Sequence, residues 1–329
     1  MDKMKNIIIS GGGTGGHLFP ALALGDSLKL KGFNVSYIGS KHGIESEILQ
    51  NRNENAYFLD IKGIQRAFTI NSIINNLIFP IRFIMSYVKS WKIINSLKPS
   101  IIIGTGGYAS GVPLLVGVSK KITTLIQEQN SFPGITTRKL HSKVDSICIA
   151  YRKANELLNN KGVITGNPIR EDLNIYSKEV AAKYFGLNDK KPILLIVGGS
   201  QGSLPFNNHF EKHYKKYIDN NIQIIWQCGK RNAHLKSKII SKDIIIKPFI
   251  ENIDYAYSAA DIVVSRAGAL AIEELKLFSK PMILIPFPYA ANNHQYYNAL
   301  ELHSEEAAIL INQTELSNGK LENKIFEII

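Results

Sequence analysis

The chain has 329 residues, of which 45% are hydrophobic and 20% charged, a composition typical of a globular protein with two domains. Its net charge of +12 lies almost entirely in one half, because residues 1–165 carry +11 and residues 166–329 carry +1. The two cysteines, Cys148 and Cys228, each stand alone in an apolar run, which excludes a disulfide framework and a paired-thiolate zinc site.

Each half of the chain opens with an apolar strand, a glycine-rich turn and a helix. Residues 6–10 lead into GGGTGGH at 11–17, and residues 192–197 lead into GGSQG at 198–202. The first apolar stretch is too short for the core of a signal peptide, so we expect a cytoplasmic chain. Further strands are predicted at 35–38, 101–103, 123–126, 147–150, 222–226, 244–246, 262–264 and 282–285.

These strands alternate with helical or polar stretches and are apolar throughout, which predicts parallel sheets covered on both faces. The sequence therefore predicts an α/β protein with two doubly wound, Rossmann-like domains, residues 1–164 and 165–329. The link between them is expected near residues 162–168, where TGNP at 165–168 interrupts the pattern. Because ligands bind beyond the carboxyl ends of parallel strands, both glycine turns should open onto one cleft.

The first turn contains G-x-G-x-x-G, formed by Gly11, Gly13 and Gly16, a pattern that brings backbone N–H groups close to phosphate. An NAD site also needs an acidic residue after the second strand, but that strand ends at Ser40 without one, so hydride transfer is disfavoured. For either turn alone, close packing of helix on strand remains an alternative explanation of the glycines. Further glycine clusters follow the strands at 101–103 and 262–264.

Seven motifs, in order along nearly the whole chain, resemble those of one family. They are GGGTGGH at 11–17, the glycine cluster at 104–111, EQN at 128–130, GNPIR at 166–170, GGSQG at 198–202, residues 267–274, and NNHQ at 292–295. The family is MurG, within glycosyltransferase family 28. The resemblance implies a GT-B fold and inverting transfer of N-acetylglucosamine from UDP-N-acetylglucosamine to undecaprenyl-linked N-acetylmuramyl-pentapeptide, the step from lipid I to lipid II in peptidoglycan synthesis.

The resemblance also implies roles for individual residues, with the acceptor on the first domain and the donor mainly on the second. By motif matching, the groups expected to neutralise the donor diphosphate are Arg170, Ser200, Gln201 and Gly202. The backbone of Phe249 and Ile250 would read the uracil, and Glu274 would hold the ribose hydroxyls. The nucleotide and sugar pocket would be lined by Ala269, Leu270, His294 and Gln295, and approached from the first domain by Thr14, Gly15, Gly16 and Asn130.

Displacement of UDP with inversion needs a base for the acceptor hydroxyl and stabilisation of the leaving diphosphate. His17 is the first choice of base because it ends a glycine turn; Glu128 and Tyr108 remain candidates. The alternative for His17 is a residue that bonds only the backbone or a phosphate, and the alternative for Glu274 is a plain surface residue. No Asp-x-Asp pair of the kind that metal-dependent transferases commonly present occurs in the sequence. We therefore expect no metal, and no other cofactor is implied.

His209 and His213 have the spacing of a zinc-binding pair, but they lie in a Lys-rich amphipathic stretch, which favours a solvated helix face. Two positions depart from the family pattern: Gln127 stands where histidine is usual, and Ala271 where a hydroxyl residue is usual. We expect an altered contact to acceptor or phosphate there. The chain also ends soon after the last predicted sheet unit, so less support for domain closure is expected.

No acidic residue occurs between Asp60 and Glu128, and within this span residues 64–98 combine many aliphatic and aromatic residues with basic ones. Pro80, Arg82 and two asparagines interrupt the segment, so it cannot span a bilayer. We predict that it binds the anionic surface of the bacterial membrane from the cytoplasmic face, as a peripheral protein. The alternative is a pair of ordinary buried helices.

Three other functions are weighed against this prediction. A nucleic-acid partner is disfavoured because the basic residues are interleaved with aliphatics and no recognition motif appears. A soluble UDP-N-acetylglucosamine 2-epimerase would keep the nucleotide site but has no use for an apolar basic face. A membrane-docking scaffold with a degenerate nucleotide site is the non-enzymatic alternative, favoured by Ala271 and the short C-terminus.

Overall fold

The structure is a computed structural model that describes residues 5–63 and 69–329, with only the backbone described at residues 70–75. The chain divides into two compact units, the first ending at Glu171 and the second beginning at Asp172. Residues 165–171 thus group with the first unit. The segment predicted as a link begins as a strand, Gly162–Ile164, that pairs with its neighbour in the first sheet.

In the described part of the first unit, seven parallel strands form one sheet: β1 (Asn6–Ser10), β2 (Asn34–Ser40), β3 (Ala56–Leu59), β4 (Ile101–Gly104), β5 (Thr123–Glu128), β6 (Ser146–Ile149) and β7 (Gly162–Ile164). Its helices are α1 (Gly15–Leu30), α2 (Glu45–Asn51), α3 (Ile70–Leu97), α4 (Gly107–Ser119), α5 (Ile135–Leu140) and α6 (Arg152–Glu156). The strand order is β3-β2-β1-β4-β5-β6-β7.

The central strands of this sheet are apolar without interruption because both faces are covered. In β1, Ile7 and Ile9 pack in the same cluster as Leu18 of α1. Ile8 points to the opposite face and packs in a second cluster with Val112 of α4. Burial on both faces is what a parallel sheet between helix layers requires, and it explains why the strand pattern does not alternate.

The second unit repeats the plan. Its described strands are β8 (Ile193–Val197), β9 (Gln223–Gln227), β10 (Ile244–Lys247), β11 (Ile262–Ser265), β12 (Met282–Leu284) and β13 (Ile309–Leu310), in the order β10-β9-β8-β11-β12-β13. Its α-helices are α7 (Lys178–Tyr184), α8 (Leu204–Asp219), α9 (Leu235–Lys238), α10 (Ile253–Ala259), α11 (Ala269–Leu277), α12 (His294–Ser304) and α13 (Lys320–Ile328). All pairings in both sheets are parallel, so the predicted fold class is confirmed.

Helix α3 is a single helix with Pro80 inside it, not the pair of buried helices that was the alternative. Phe83 and Tyr87 pack against the core of the first unit. On the other side an apolar stripe is exposed to solvent, formed by Leu77, Ile81, Ile84, Met85 and Val88. Residues 64–68 of the predicted membrane segment lie outside the described residues. None of the helices in the described ranges is long and apolar enough to cross a bilayer.

Candidate functional site

The first sheet changes direction of winding between β1 and β4, and a glycine turn follows each of these two strands. Ser10 at the end of β1 pairs with Gly104 at the end of β4, so the turns at 11–14 and 105–106 begin side by side. Helices α1 and α4 start directly after them. A switch point of this kind, with two helix N-termini, is where ligands bind in doubly wound sheets.

The two turns touch so closely that only glycine fits at their contact. Gly107 has a φ of +75°, and a Cβ atom there would lie 2.2 Å from the carbonyl oxygen of Gly12. Gly13 has a φ of +84°, and a Cβ there would lie 2.8 Å from Cε1 of Tyr108. Close packing therefore accounts for some of the glycines, and it fixes the positions of His17 and Tyr108.

His17 lies in the first turn of α1, at the junction of the two glycine turns. Its Nδ1 is 3.0 Å from the hydroxyl oxygen of Thr14, and its backbone oxygen accepts a hydrogen bond from Thr105 Oγ1 at 2.8 Å. The ring lies over Gly106, where a Cβ would be 2.5 Å from Cδ2 of the imidazole. The structure thus brings together His17, Thr14, Gly15, Gly16 and Tyr108.

A buried carboxylate that sequence reasoning missed lies under the same turn. Glu45, the first residue of α2, accepts hydrogen bonds from the backbone N–H of Gly13 at 2.8 Å and of Ser40 at 2.9 Å. Its side chain is fully buried. An NAD site would need an acidic residue at the end of β2. Here the acidic residue occurs five positions later, and it accepts hydrogen bonds from the protein's own backbone. The Gly13 N–H already donates to the Glu45 carboxylate, and the negative charge of that carboxylate repels a phosphate. A neutral hydroxyl therefore fits beside this turn better than a phosphate.

Glu128, at the end of β5, is almost fully buried, and both of its oxygens are engaged. Oε1 accepts from the Asn130 N–H at 3.2 Å, and Oε2 accepts from the Gly134 N–H at 3.0 Å and the Thr137 hydroxyl at 2.6 Å. Burial raises the pKa of this carboxyl, and these hydrogen bonds oppose the shift. The contacts show Glu128 holding the loop that carries Asn130.

Tyr108 is half-buried against the first glycine turn. Burial raises the pKa of its phenol above the usual value of 10.0, with a hydrogen bond to Ser40 opposing the shift and the Glu45 charge adding to it. The phenol is therefore protonated at neutral pH and can donate a hydrogen bond, but it is a poor general base there.

Gln127, at the position where the family usually has histidine, belongs to a buried amide network. Its Nε2 donates to Asn167 Oδ1 at 3.0 Å, and Asn167 Nδ2 donates to the Gln129 oxygen at 3.1 Å. Gln129 Nε2 in turn donates to the Thr105 oxygen at 2.8 Å. The network joins the GNPIR segment at 166–170 to the glycine turn at 105–106. It explains why Asn167 belongs to the first unit. Arg170 lies exposed beyond it.

The second sheet has its own switch point between β8 and β11. The turn at 198–202 follows β8, and Ser203 caps α8 by accepting a hydrogen bond from the Phe206 N–H. Gly202 has a φ of +75°, and a Cβ there would lie 2.1 Å from the Cys228 carbonyl oxygen. The turn is thus pressed onto the end of β9, with Ser200 and Gln201 exposed at the start of α8. Backbone donors and a helix N-terminus are suited to phosphate.

Gln227 joins this turn to the segment predicted to read uracil. Its Nε2 donates to the Gly199 oxygen at 2.9 Å, and its Oε1 accepts from the Ile250 N–H at 2.8 Å. Gln227 and Ile250 are buried, whereas Phe249 is half-exposed. The Ile250 N–H is thus engaged by the protein itself.

Arg266, which follows β11, is a buried cation next to the same turn. Its guanidinium donates to the oxygens of Ile285, Pro286 and Gln313 and to the Ser203 hydroxyl, at 2.6–3.0 Å. Its carbon Cζ also lies 4.5 Å from the ring centre of Phe206. Burial lowers its pKa to about 10, so the side chain remains charged at neutral pH. A positive charge behind the N-cap of α8 favours an anion at the turn.

The remaining donor-site candidates lie on α11 and at the start of α12. Glu274 accepts a hydrogen bond from the Tyr257 hydroxyl at 3.0 Å, which orients its carboxylate. Ala269 and Leu270 are part-exposed at the N-terminus of α11. Gln295 accepts from the Phe287 N–H at 2.9 Å, and His294 Nδ1 is 2.8 Å from the Ala291 oxygen. Both side chains therefore help to fix the loop after β12.

Comparison with known proteins decides the family. The model of the glycosyltransferase family 28 N-terminal domain matches residues 7–149, and that of the C-terminal domain matches residues 193–329. This chain belongs to glycosyltransferase family 28. The predicted resemblance is confirmed, and the two sheets with their switch points are the two domains of that family.

Curated members of family 28 match nearly the whole chain. A protein of Christiangramia forsetii is 41% identical over 322 residues, covering 96% of this chain and 87% of its own. One of Flavobacterium psychrophilum is 39% identical over 324 residues, covering 97% and 87%. Both are named UDP-N-acetylglucosamine–N-acetylmuramyl-(pentapeptide) pyrophosphoryl-undecaprenol N-acetylglucosamine transferase.

Solved structures agree with membership of family 28. The crystal structure of Acinetobacter baumannii MurG matches with a TM-score of 0.77 and 27% identity, over 98% of this chain and 90% of that one. The UDP-GlcNAc 2-epimerase of Methanocaldococcus jannaschii matches with a TM-score of 0.60 and 15% identity, over 96% and 91%. The epimerase likeness concerns the fold alone.

One interpretation of the sequence is wrong. His209 of α8 does not lie on a solvated helix face, because its side chain is 5% exposed and faces Glu322 of α13. The Lys-rich pattern described the outer side of α8 correctly, but sequence alone could not place α13 against the histidine side.

Proposed function

We propose that this protein transfers N-acetylglucosamine from UDP-N-acetylglucosamine to undecaprenyl-linked N-acetylmuramyl-pentapeptide, with inversion at C1 and without a divalent ion. Family membership and the names of relatives up to 41% identical support the substrates. The structural observation that carries the mechanism is the position of His17 between two helix N-termini.

His17 is the proposed general base. When Nδ1 carries the ring proton, it can donate to Thr14 Oγ1, and Nε2 is then the basic nitrogen. Nε2 takes the proton of the acceptor hydroxyl as that oxygen bonds to C1 of the sugar, and the bond from C1 to the diphosphate oxygen breaks. Glu128 and Tyr108 suit this role less, since the first has both oxygens engaged and the second stays protonated at neutral pH.

The leaving UDP is proposed to bind the second unit. Ser200, Gln201 and Gly202 offer the N-terminus of α8, and Arg266 adds a buried positive charge behind Ser203. These groups stabilise the charge that develops on the diphosphate, which is the service a divalent ion provides in other transferases. Arg170 is proposed to add a second cation for the diphosphate.

The first unit is proposed to bind an anionic membrane surface, on its cytoplasmic side, through α3. The support is the exposed stripe from Leu77 to Val88 together with the basic residues of the same helix and the absence of acids between Asp60 and Glu128. Apolar side chains would enter the acyl boundary, while Lys and Arg would meet the headgroups. A lipid-linked acceptor gives this surface its purpose.

Incubation with labelled UDP-N-acetylglucosamine and a short-chain lipid acceptor, in the presence of a chelator, tests the proposal. We expect the label in the lipid product. Label in N-acetylmannosamine would instead identify an epimerase, and nucleotide binding without turnover would identify a scaffold. Either of these results would overturn the proposed transfer.

A further inference from the structure

A cluster of ionisable side chains that the proposed reaction does not use joins α8 to the last helix, α13. His209 and His213 lie one turn apart on α8, and Glu322 comes from α13. Nε2 of His209 is 3.4 Å and Nδ1 of His213 is 3.7 Å from Oε1 of Glu322. The three atoms lie within 4.8 Å of one another.

Polar atoms at this cluster are buried and lack hydrogen-bond partners. They are Nε2 of His209 and Oε2 of Glu322, and Oη of Tyr217, one turn further along α8, is a third orphan. The His209 and Glu322 side chains are 5% and 6% exposed, so bulk water does not satisfy them. Buried polar atoms almost always have partners, and orphans that converge in this way indicate a ligand.

The charges at the cluster suit a cation. Within the described residues, the buried Glu322 carboxylate forms its ion pairs with the two histidines. Imidazole nitrogens and carboxylate oxygens are both metal ligands, and a divalent ion between them would compensate the charge of the buried carboxylate.

We propose that His209, His213 and Glu322 bind a zinc-class divalent ion. Two imidazoles and one carboxylate are a donor set that zinc accepts. Bonds of about 2.0–2.1 Å place tetrahedral ligands roughly 3.3–3.5 Å apart. The two nitrogen-to-oxygen distances, 3.4 and 3.7 Å, are close to this spacing. The two imidazole nitrogens, which lie within 4.8 Å of each other, must move closer by about 1.4 Å to reach this spacing, and water completes the coordination.

The role of the ion is structural. It links α13 to α8, and α8 begins directly after the glycine turn at 198–202. Metal at this place would therefore stabilise the C-terminal helix and the base of the proposed diphosphate site. The positive charge of Lys216 repels a cation at His209. We therefore expect weaker zinc binding than at four-ligand structural zinc sites.

The experiment is zinc titration of the chelator-treated full chain, by competition with a chromophoric chelator. We expect one zinc per chain, a higher midpoint of thermal unfolding with zinc, and visible absorption of tetrahedral cobalt when Co²⁺ replaces it. His213→Asn and Glu322→Gln should each weaken binding at least tenfold; His213 is partly exposed, so its replacement is tolerated best. His234→Asn, at an exposed histidine elsewhere in the unit, is the matched control and should leave binding unchanged.

Failure to bind one equivalent would overturn the site, and so would equal affinity in wild type, His213→Asn and Glu322→Gln. If the wild-type protein binds no zinc but its midpoint of thermal unfolding changes with pH as these histidines are protonated, the cluster is an ion-pair contact and not a metal site. Zinc titration measures metal binding and the lipid-acceptor assay measures transfer, so failure of the metal site is distinguished from failure of the proposed function.

Discussion

The side-chain oxygen of Gln227 accepts a hydrogen bond from the backbone N–H of Ile250 at 2.8 Å. The same amide donates to the Gly199 oxygen at 2.9 Å, so one buried side chain sets the distance between the proposed diphosphate turn and the proposed uracil segment. Neither bond needs a ligand. The two parts of the nucleotide site are therefore held in place before UDP binds.

Gln227→Ala removes both hydrogen bonds, so the turn and the segment must be ordered when UDP binds. We expect this to cost roughly 1.4 kcal/mol of binding free energy, which weakens UDP binding about tenfold. Gln227→Glu keeps the acceptor for the Ile250 N–H but loses the donor to the Gly199 oxygen, so this variant should also bind UDP more weakly than wild type. Isothermal titration with UDP measures both. Full affinity in Gln227→Ala would show that the turn and the segment are ordered independently.

Glu274→Ala is expected to weaken UDP binding strongly, by about 2 kcal/mol or more, because a charged hydrogen-bond partner of the ribose is lost. Tyr257→Phe is the matched variant, since it keeps the carboxylate and removes only the hydroxyl that orients it at 3.0 Å. Its effect should be smaller. If UDP affinity in Glu274→Ala stays within twofold of wild type, the ribose assignment is wrong.

Vesicle binding tests the surface of α3. The aromatic residues of this helix are poor choices for replacement, because Phe79 and Phe83 pack on the core and the Lys120 ammonium lies 4.0 Å from the ring centre of Trp91. The exposed residues are the better choice, so Leu77, Ile81, Ile84 and Met85 should be changed together to Ser.

This fourfold variant is expected to lose most sedimentation with anionic vesicles while binding UDP normally. The control changes Val163 and Ile240 to Ser, two exposed aliphatic residues outside α3. Unchanged sedimentation of the α3 variant would refute the membrane surface.

The sequence predicted the central strands because each is an apolar run that is buried on both faces. It missed β3, β7 and β13, which are short strands at or near the sheet edges; in β7, Val163 and Ile164 are exposed, so no burial pattern marks them. The glycine turns and His17 were found because their spacing is local. Glu45, Gln227 and Arg266 were not assigned a role, since each acts through partners that are distant in sequence. For Glu45, the glycines at 39 and 43 were the available signal, because a Cβ at either would meet its side chain.

Glu128→Gln separates a positioning role from a catalytic one. The amide has one accepting oxygen in place of two, so it cannot serve both the Asn130 N–H and the donors of Gly134 and Thr137, and we expect the free energy of unfolding to fall by about 1–3 kcal/mol. Because the folded-state pKa of Glu128 is raised, its contribution to stability is fully present below the unfolded value of 4.5 and declines as pH rises through the folded value. The stability difference between wild type and variant should therefore be larger in acid than at neutral pH, as chemical denaturation at several pH values will show. An equal difference at every pH would contradict the raised pKa.

The most direct test of the account is the single-turnover rate of His17→Ala with UDP-N-acetylglucosamine and a short-chain lipid acceptor, measured beside its affinity for UDP. Loss of a general base is expected to slow transfer by about 10²–10⁴-fold. UDP affinity and the unfolding midpoint should stay near wild type, and Thr14→Val, which removes the hydroxyl 3.0 Å from Nδ1, should give an intermediate rate. A rate for His17→Ala within about threefold of wild type would contradict the proposed proton transfer, because that is far less than the loss of a general base produces.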